Sequence, residues 1–204
     1  MICPDPNPWS PSTAIPDAGS REFLRAQGFI GFLRVGQLHD RRCEGLPNER
    51  GVYAILRDSS SPPEFMARST APIYRGVDPS RPIEELEARW VPGAQVLYFG
   101  RARGPGVRSL LKQRIKRLLR FAHGRVVGHW GGRFLWQLRN HGALLVAWKP
   151  TGEDDPALVE AALLAAFVER YRVLPFANLE RESDEAESGE EDSDERGSED
   201  QAGG

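Results

Sequence analysis

Two short runs decide the fold predicted for this chain: Gly51-Val-Tyr-Ala-Ile-Leu56 and Gln95-Val-Leu-Tyr-Phe-Gly100. Both are apolar and aromatic over the length of one strand, which is typical of buried β-strands. An Arg-rich amphipathic helix from Ser109 to Ala122 follows them, then a short buried strand at Leu144–Trp148. A last helix opens at the cap Asp155 and runs to about residue 171. The pattern predicts a small α/β domain with a short central mixed sheet flanked by helices.

The composition is that of a globular protein, because 40% of the 204 residues are apolar and five are Trp. No run approaches the length of a membrane span, and the N-terminus lacks a basic-then-apolar export signal. The two cysteines, Cys3 and Cys43, are too few for a disulfide framework or a zinc knuckle. These observations predict a cytoplasmic protein with no membrane partner.

The charge is unevenly distributed along the chain. Residues 180–204 hold twelve Asp or Glu against two Arg, so residues 1–179 carry a balance of +8. Thirteen Lys or Arg and no acid lie between Ala88 and Gly152. Such a segment suits a polyanionic partner, because neutralising phosphates releases counterions. The alternative is an ordinary surface in a protein that favours Arg, with 24 Arg to 3 Lys.

The chain divides into three parts. Residues 1–19 contain five prolines and few core formers, which predicts a disordered lead-in. Residues 20–179 form the domain, and residues 180–204 form an acidic, low-complexity tail that is also predicted to be disordered. Within the domain, the Ser- and Pro-rich stretch 58–94 is a long connection with a short helix at Ile83–Arg89, and such connections tend to be functional or mobile.

Two charged residues stand on apolar helix faces. Glu160 stacks with Leu164 and Phe167, and a carboxylate there is costly unless it is paired or binds a metal. The alternative is a Glu at the edge of the stripe that reaches water. Arg114 shares a face with Leu118, where its guanidinium suits bidentate capture of a phosphate. The alternative is an Arg whose stem covers apolar surface.

Tyr53 and Tyr98 stand in the two motif strands. A strand Tyr is most often a core ring with its hydroxyl at the edge. Its reference pKa near 10 makes it a poor base unless its surroundings help. Either Tyr alone therefore indicates little about function.

The ordered set of motifs resembles the GIY-YIG nuclease superfamily, in an uncharacterised bacterial subgroup, over residues 49–179. Its elements are Gly51-Val52-Tyr53, Tyr98-Phe99-Gly100, Arg114 with its basic neighbours, Glu160 in a later helix, and Asn178 near the end. The resemblance implies an endonuclease that hydrolyses nucleic-acid phosphodiester bonds with one divalent metal, Mg²⁺ or Mn²⁺. DNA is the expected substrate ahead of RNA.

The resemblance also implies a role for each matching residue. Tyr53 is the candidate general base and Tyr98 holds the water or phosphate. Arg114 neutralises charge developing on the phosphate. Glu160 is the metal's protein ligand, and Asn178 orients the loop around the site. Gly100 is expected to let the strand end turn sharply.

This chain departs from the family pattern in three places. The two motif tyrosines have 44 residues between them, so residues 58–94 are predicted to be an insertion. Six further residues before Arg114 suggest a second insertion, which leaves Arg117 as an alternative for the Arg role. The His often found four residues after the family Arg is Leu118 here, so a His base is not available at that position.

A wider set of residues is predicted to contact nucleic acid. The stretch 128–138 is rich in Gly and aromatic residues that could stack on a nucleotide or pack on the core. The predicted nucleic-acid contacts are Arg101, Arg103, Lys112, Lys116, Arg117, His129 and Arg133. Two rival functions remain: a catalytically idle nucleic-acid-binding module of the same fold, and a nucleotide-handling protein whose Trp-rich stretch lines a pocket.

Overall fold

The computed structural model describes residues 16–103, 110–126 and 132–179, and they confirm the α/β class. The strands are β1 (Ile30–Arg34), β2 (Gly51–Leu56), β3 (Val96–Ala102) and β4 (Leu145–Pro150). The helices are α1 (Arg21–Ala26), α2 (Val35–Asp40), α3 (Ile83–Arg89), α4 (Leu111–Ala122) and α5 (Pro156–Tyr171). Two short 3-10 helices, Arg133–Gln137 and His141–Ala143, precede β4.

The sheet has the order β1-β4-β2-β3, and all of these pairings are antiparallel. The prediction of a mixed sheet is therefore wrong. The segment between β2 and β3 is long enough for a parallel crossover. It instead returns to the end of the sheet that it left, where Arg57 N donates to the carbonyl of Gln95 at 2.8 Å. The two motif strands thus form one hairpin with a very long loop.

β2 is the central motif strand, and all six of its residues are buried. Alternation along the strand sends its side chains into two cores. Tyr53 and Ile55 pack with α2, α4 and the 3-10 segment, whereas Val52 and Ala54 pack with α1 and α5. A strand buried on both faces reads as a continuous apolar run, which is why the sequence identified it.

The helix boundaries follow from local chemistry. The Ser20 hydroxyl accepts a hydrogen bond from Phe23 N at the start of α1. Asp155 caps α5 and Pro156 occupies its first turn, as predicted. The predicted amphipathic character of α4 is confirmed, since four residues of one helix face are at most 1% exposed: Leu111, Ile115, Leu118 and Ala122.

The last residues of the predicted lead-in belong to the folded body. The Asp17 carboxylate accepts hydrogen bonds from Gly19 N at 2.8 Å and from Tyr171 Oη at 2.6 Å. Burial opposes ionisation, but these hydrogen bonds and the charge of Arg170 outweigh it and lower the pKa of Asp17. Residues 1–15 and 180–204, where disorder is predicted, lie outside the described residues.

The connection 58–94 is fixed to the domain by one buried amide. The Gln137 side chain is 0% exposed and donates to the carbonyls of Met66 and Arg81 at 2.9 and 2.7 Å. Its oxygen accepts from Arg81 N at 2.9 Å. Met66 N donates in turn to the Gln137 carbonyl. A single side chain therefore ties both parts of the connection to the 3-10 segment.

None of the helices in the described ranges combines the length and apolar character that a membrane crossing requires.

Candidate active site

Tyr53 and Gly100 face each other across the two motif strands. They are register partners, and a Cβ placed on Gly100 would lie 2.5 Å from Tyr53 Oη and 2.8 Å from Cε1. The tip of the phenol ring therefore occupies the space that any larger residue would need at position 100. The expected sharp turn at Gly100 is wrong, because β3 continues to Ala102. The glycine is required for the close approach of the ring instead.

Tyr98 completes an aromatic pair on the same face. Its ring centroid lies 6.0 Å from that of Tyr53, with the planes tilted by 51°. A Cβ on Gly132 would lie 3.7 Å from Tyr98 Cδ2 and 3.6 Å from Leu118 Cδ1. Arg114 stands one helical turn before Leu118 on α4, so it lies on the side of the sheet that holds both tyrosines. Three of the predicted catalytic residues thus share one face.

Glu160 lies on the other face of the sheet, paired with Arg101. It is 6% exposed, so it does not reach water at the edge of its helix stripe. Arg101 Nη1 donates to Glu160 Oε2. Arg101 is the register partner of Val52, whose side chain packs toward α5. The predicted metal ligand and one predicted nucleic-acid contact therefore form a buried ion pair.

The two halves meet at consecutive residues of β3. Gly100 receives the Tyr53 ring on one face, and Arg101 binds Glu160 on the other. The site residues implied by the resemblance therefore lie on opposite faces of the sheet, on either side of β3. Tyr53 and the Arg101–Glu160 pair lie at nearly the same level of the sheet. Gly100 and Arg101 are consecutive in β3, and their register partners, Tyr53 and Val52, are consecutive in β2.

Asn178 holds the backbone of β3 just before this point. Its Oδ1 accepts from Phe99 N and its Nδ2 donates to Phe99 O, both at 2.9 Å. Ala177 N also donates to the carbonyl of Leu97. The side-chain amide of Asn178 thus pairs with the backbone of Phe99 as the peptide of an additional edge strand would. This geometry fixes the backbone of the residue between Tyr98 and Gly100.

The predicted basic contacts occupy different environments. Arg103 and Lys116 are exposed, while Lys112 and Arg117 are half-buried on α4. Lys116 and Lys112 lie close enough to Cys43 to oppose the rise in the pKa of its thiol that burial causes. His129 lies outside the described residues.

The described part of the aromatic stretch packs on the core. Trp136 and Leu135 are 0% exposed, and Phe134 is 2% exposed. A cavity of about 60 Å³ lies beside the stretch, between Arg57 and Leu144. It is far smaller than the roughly 300 Å³ of an ordinary ligand pocket. Packing on the core therefore accounts for residues 134–136, and the described cavity does not suit a mononucleotide.

Arg133 is the exception within this stretch, because it is a charged group that is 9% exposed. Burial lowers the pKa of its guanidinium to about 10, helped by the positive charges of Arg81 and Arg89 and opposed by Glu85. The sequence placed Arg133 among the nucleic-acid contacts but gave no sign of these neighbours, which come from the connection 58–94.

Glu160 is the buried carboxylate of the described chain, and its chemistry suits a hard divalent cation. Mg²⁺ commonly binds one or two carboxylates and completes its shell with waters and substrate phosphates. The described residues contain no cluster of three or more His, Cys, Asp or Glu, so a metal at Glu160 would need such a shell. Arg101 already forms an ion pair with this carboxylate, so a metal and the guanidinium would compete for it.

Protein-family models, curated proteins and solved structures were compared with this chain, and none of them matches it. The resemblance to GIY-YIG nucleases stays a prediction from the ordered residues of the sequence.

Proposed function

We propose that this chain is a divalent-metal-dependent endonuclease of the GIY-YIG type, with DNA as the expected substrate. The observation that carries the proposal is the packing of Tyr53 against Gly100 beside Tyr98. The two phenols and the bare Cα lie on one face of the sheet, with Tyr98 two residues before Gly100 in β3. The other motif glycine, Gly51, permits a close approach of α4 to β2, since a Cβ there would lie 2.8 Å from Leu111 Cδ1.

Each residue has a distinct part in the proposed reaction. Tyr53 accepts the proton of the attacking water, and Tyr98 positions the water or the phosphate. Arg114 offsets the charge that develops on the phosphate oxygens, an effect of a few kcal/mol in comparable sites. Asn178 holds the Phe99 peptide so that Gly100 keeps its place against Tyr53.

Glu160 would hold the metal, and Mg²⁺ or Mn²⁺ would supply charge stabilisation and an activated water. Arg101 is 21% exposed at its side chain, so it can turn toward solvent when the carboxylate takes another cation. In that position Arg101 would contact a phosphate, which is the role predicted for it from the sequence.

The proposal is tested by incubating the protein with supercoiled DNA, single-stranded DNA and RNA in Mg²⁺, Mn²⁺ or EDTA. We expect metal-dependent cleavage that Tyr53→Phe and Glu160→Ala each reduce by at least about 100-fold. Glu64→Ala is the control, since Glu64 is exposed and its ion-pair partner, Arg139, is not one of the proposed site residues. Cleavage by Glu160→Ala at the wild-type rate would contradict the assignment.

A second function is favoured by the ion pair itself. If Arg101 is the permanent partner of Glu160, the fold is a nucleic-acid-binding module without catalysis. Salt-sensitive binding of DNA with no cleavage in any metal would select this module over the nuclease.

A further inference from the structure

A tight β-hairpin stands inside the long connection between β2 and β3. Tyr74 and Val77 exchange both backbone hydrogen bonds at 3.0 Å. The two residues between them, Arg75 and Gly76, have φ angles of 51° and 78°. Positive values at both central positions define the type I′ turn of two-residue hairpins. We call residues 70–79 the hairpin loop, and its tip is a defined structure within a Ser- and Pro-rich connection.

The hairpin loop is closed at its neck and anchored to the domain. Ser69 N donates to Ser80 Oγ at 3.0 Å across the neck. Thr70 N and Thr70 Oγ1 both donate to the carbonyl of Trp136, at 3.1 and 3.3 Å. Pro79, at the end of the loop, is buried. The loop is thus held in place before any partner arrives, which reduces the ordering cost of binding.

The tip exposes apolar side chains on both of its faces. Ile73 is 61% exposed and Val77 is 47% exposed. Because side chains alternate along an extended chain, Val77 shares a face with its partner Tyr74, and Ile73 lies on the opposite face. A hairpin that packs flat on a protein needs one apolar face, whereas one that enters between two stacked groups needs both. The tip therefore has the character of a wedge.

Basic side chains surround the neck of the hairpin loop. Residues 68–81 hold three Arg against one Asp, a balance of +2. Arg68 and Arg81 stand directly outside the neck hydrogen bond, one on each side of it. Glu85 approaches Arg81 Nε at 3.7 Å, but both side chains of this pair are partly exposed, so the pairing is weak. The positive balance suits a polyanionic partner.

The neck also adjoins the C-terminal end of α4. A Cβ on Gly124 would lie 3.8 Å from the carbonyl oxygen of Thr70. Lys116 and Arg120 are exposed one turn apart on α4, and Arg125 is exposed just after it. The helix that carries one of the predicted nucleic-acid contacts, Lys116, therefore ends beside the hairpin loop.

We infer that the hairpin loop is a further nucleic-acid contact, in which the arginines bind phosphates and the apolar tip inserts beside unpaired bases. Nucleic acid as the partner rests on the proposed function, and insertion rests on the two apolar faces of the tip. An apolar wedge that enters a base step must unstack it. That cost is least where the bases are already unpaired. The substrate class that fits is therefore DNA with a bubble or a fork, ahead of a continuous duplex.

The first experiment compares two DNA molecules in EDTA, where no metal-dependent cleavage occurs. Anisotropy measures binding of the full chain to a labelled bubble and to a continuous duplex of the same length. We expect the wild type to prefer the bubble by about 10-fold, the factor that burial of one such apolar side chain provides. Ile73→Ser and Val77→Ser should each lose most of this preference, and Ile73→Leu should keep it. Val173→Ser is the matched control, since Val173 is 51% exposed and lies outside the loop.

The second experiment separates insertion from charge. Arg75→Gln should lower the slope of log affinity against log salt by about one, whereas Ile73→Ser should weaken bubble binding at an unchanged slope. A 2-aminopurine base in the bubble should change its fluorescence on binding of the wild type but not of Ile73→Ser. Thermal unfolding of each variant verifies that it is folded. An unchanged slope in Arg75→Gln would contradict the phosphate contact.

The inference and the proposed function fail in different ways. Equal affinity of the wild type for both DNA molecules, no binding of either, or a preference that both Ser variants retain would overturn the inference. Self-association that Ile73→Ser removes, with DNA binding unchanged, would assign the tip to a second copy of the chain and also overturn it. A bubble preference without cleavage in any metal would keep the inference and reject the nuclease.

Discussion

The two faces of the sheet are built on opposite principles at the same level of β3. On the α4 face, two phenol rings pack beside a bare glycine. On the α5 face, a buried carboxylate is held by a guanidinium. The difference shows that strand alternation separates Tyr53 from Glu160, although the order of motifs along the chain suggests a single cluster. A site that uses residues of both faces would have to reach around β3 at Gly100 and Arg101.

The largest effect should come from filling the gap on the α4 face. Gly100→Ala places a methyl group against the Tyr53 ring, so the ring or the strand must move. We expect a loss of about 1–3 kcal/mol in the free energy of unfolding. Cleavage should fall by at least about 100-fold, because a displacement of 1 Å can cost that much.

Gly142→Ala is the matched control, since the space around a Cβ at Gly142 is open. Chemical denaturation and a cleavage assay measure the two effects. Wild-type stability of Gly100→Ala would contradict the close packing of the Tyr53 ring against Gly100.

The ion pair on the α5 face should give the next largest effect. Glu160→Ala removes the carboxylate that Arg101 binds, and because Arg101 is 21% exposed at its side chain, we expect a loss of about 2 kcal/mol, below the about 3–5 kcal/mol of a fully buried pair. Replacing both residues with apolar ones, as Arg101→Met with Glu160→Leu, should recover much of that loss. The comparison of single and double variants by denaturation gives the coupling energy.

The same variants test metal binding. Arg101→Met removes the competitor for the carboxylate, so Mn²⁺ affinity measured by calorimetry should rise if Glu160 is a ligand. Unchanged or absent metal binding in Arg101→Met would favour the idle binding module.

The Asn178 clamp should have an effect no larger than that of the ion pair, and it reaches the α4 face. Asn178→Ala removes two hydrogen bonds to Phe99, worth about 2 kcal/mol together. Asn178→Asp keeps an acceptor for Phe99 N but loses the donor to Phe99 O, so its stability should be intermediate. Equal stability of the two variants, measured by thermal unfolding, would contradict the clamp.

The smallest effect concerns pH and the docking of α5. The pKa of Asp17 is lowered in the folded protein, so its contribution to stability is present above the unfolded value near 4. That contribution is lost as the pH falls through the lower, folded value. The melting temperature of the wild type should exceed that of Asp17→Asn at pH 6, and the difference should shrink toward pH 2. A constant difference across that range would rule out this linkage.

Local signals explain which parts of the fold could be predicted. The bounds of β2 and α3 match the predicted residues, and α5 begins at the predicted cap, because apolar runs and capping residues act within a few positions. The direction of the strands could not be predicted, because the connection between β2 and β3 is long enough for either topology.

The site was less predictable than the fold for a related reason. Helical spacing in the sequence places Glu160 in an apolar stripe, and a carboxylate there needs an ionic partner or a metal. That the partner is Arg101 depends on a contact between residues 59 positions apart. The same holds for the contact between Asn178 and Phe99.

The long loop of the motif hairpin has a consequence for how the chain folds. β2 pairs with β3 across residues 57–95 and with β4 across residues 57–144, and β1 pairs with β4 across a longer stretch still. The described sheet therefore contains no short hairpin from which it could nucleate. Chains dominated by distant pairings fold slowly, since the loops must close before the contacts form. During that interval the apolar β2 would be exposed, so it is the segment at which aggregation is expected to begin.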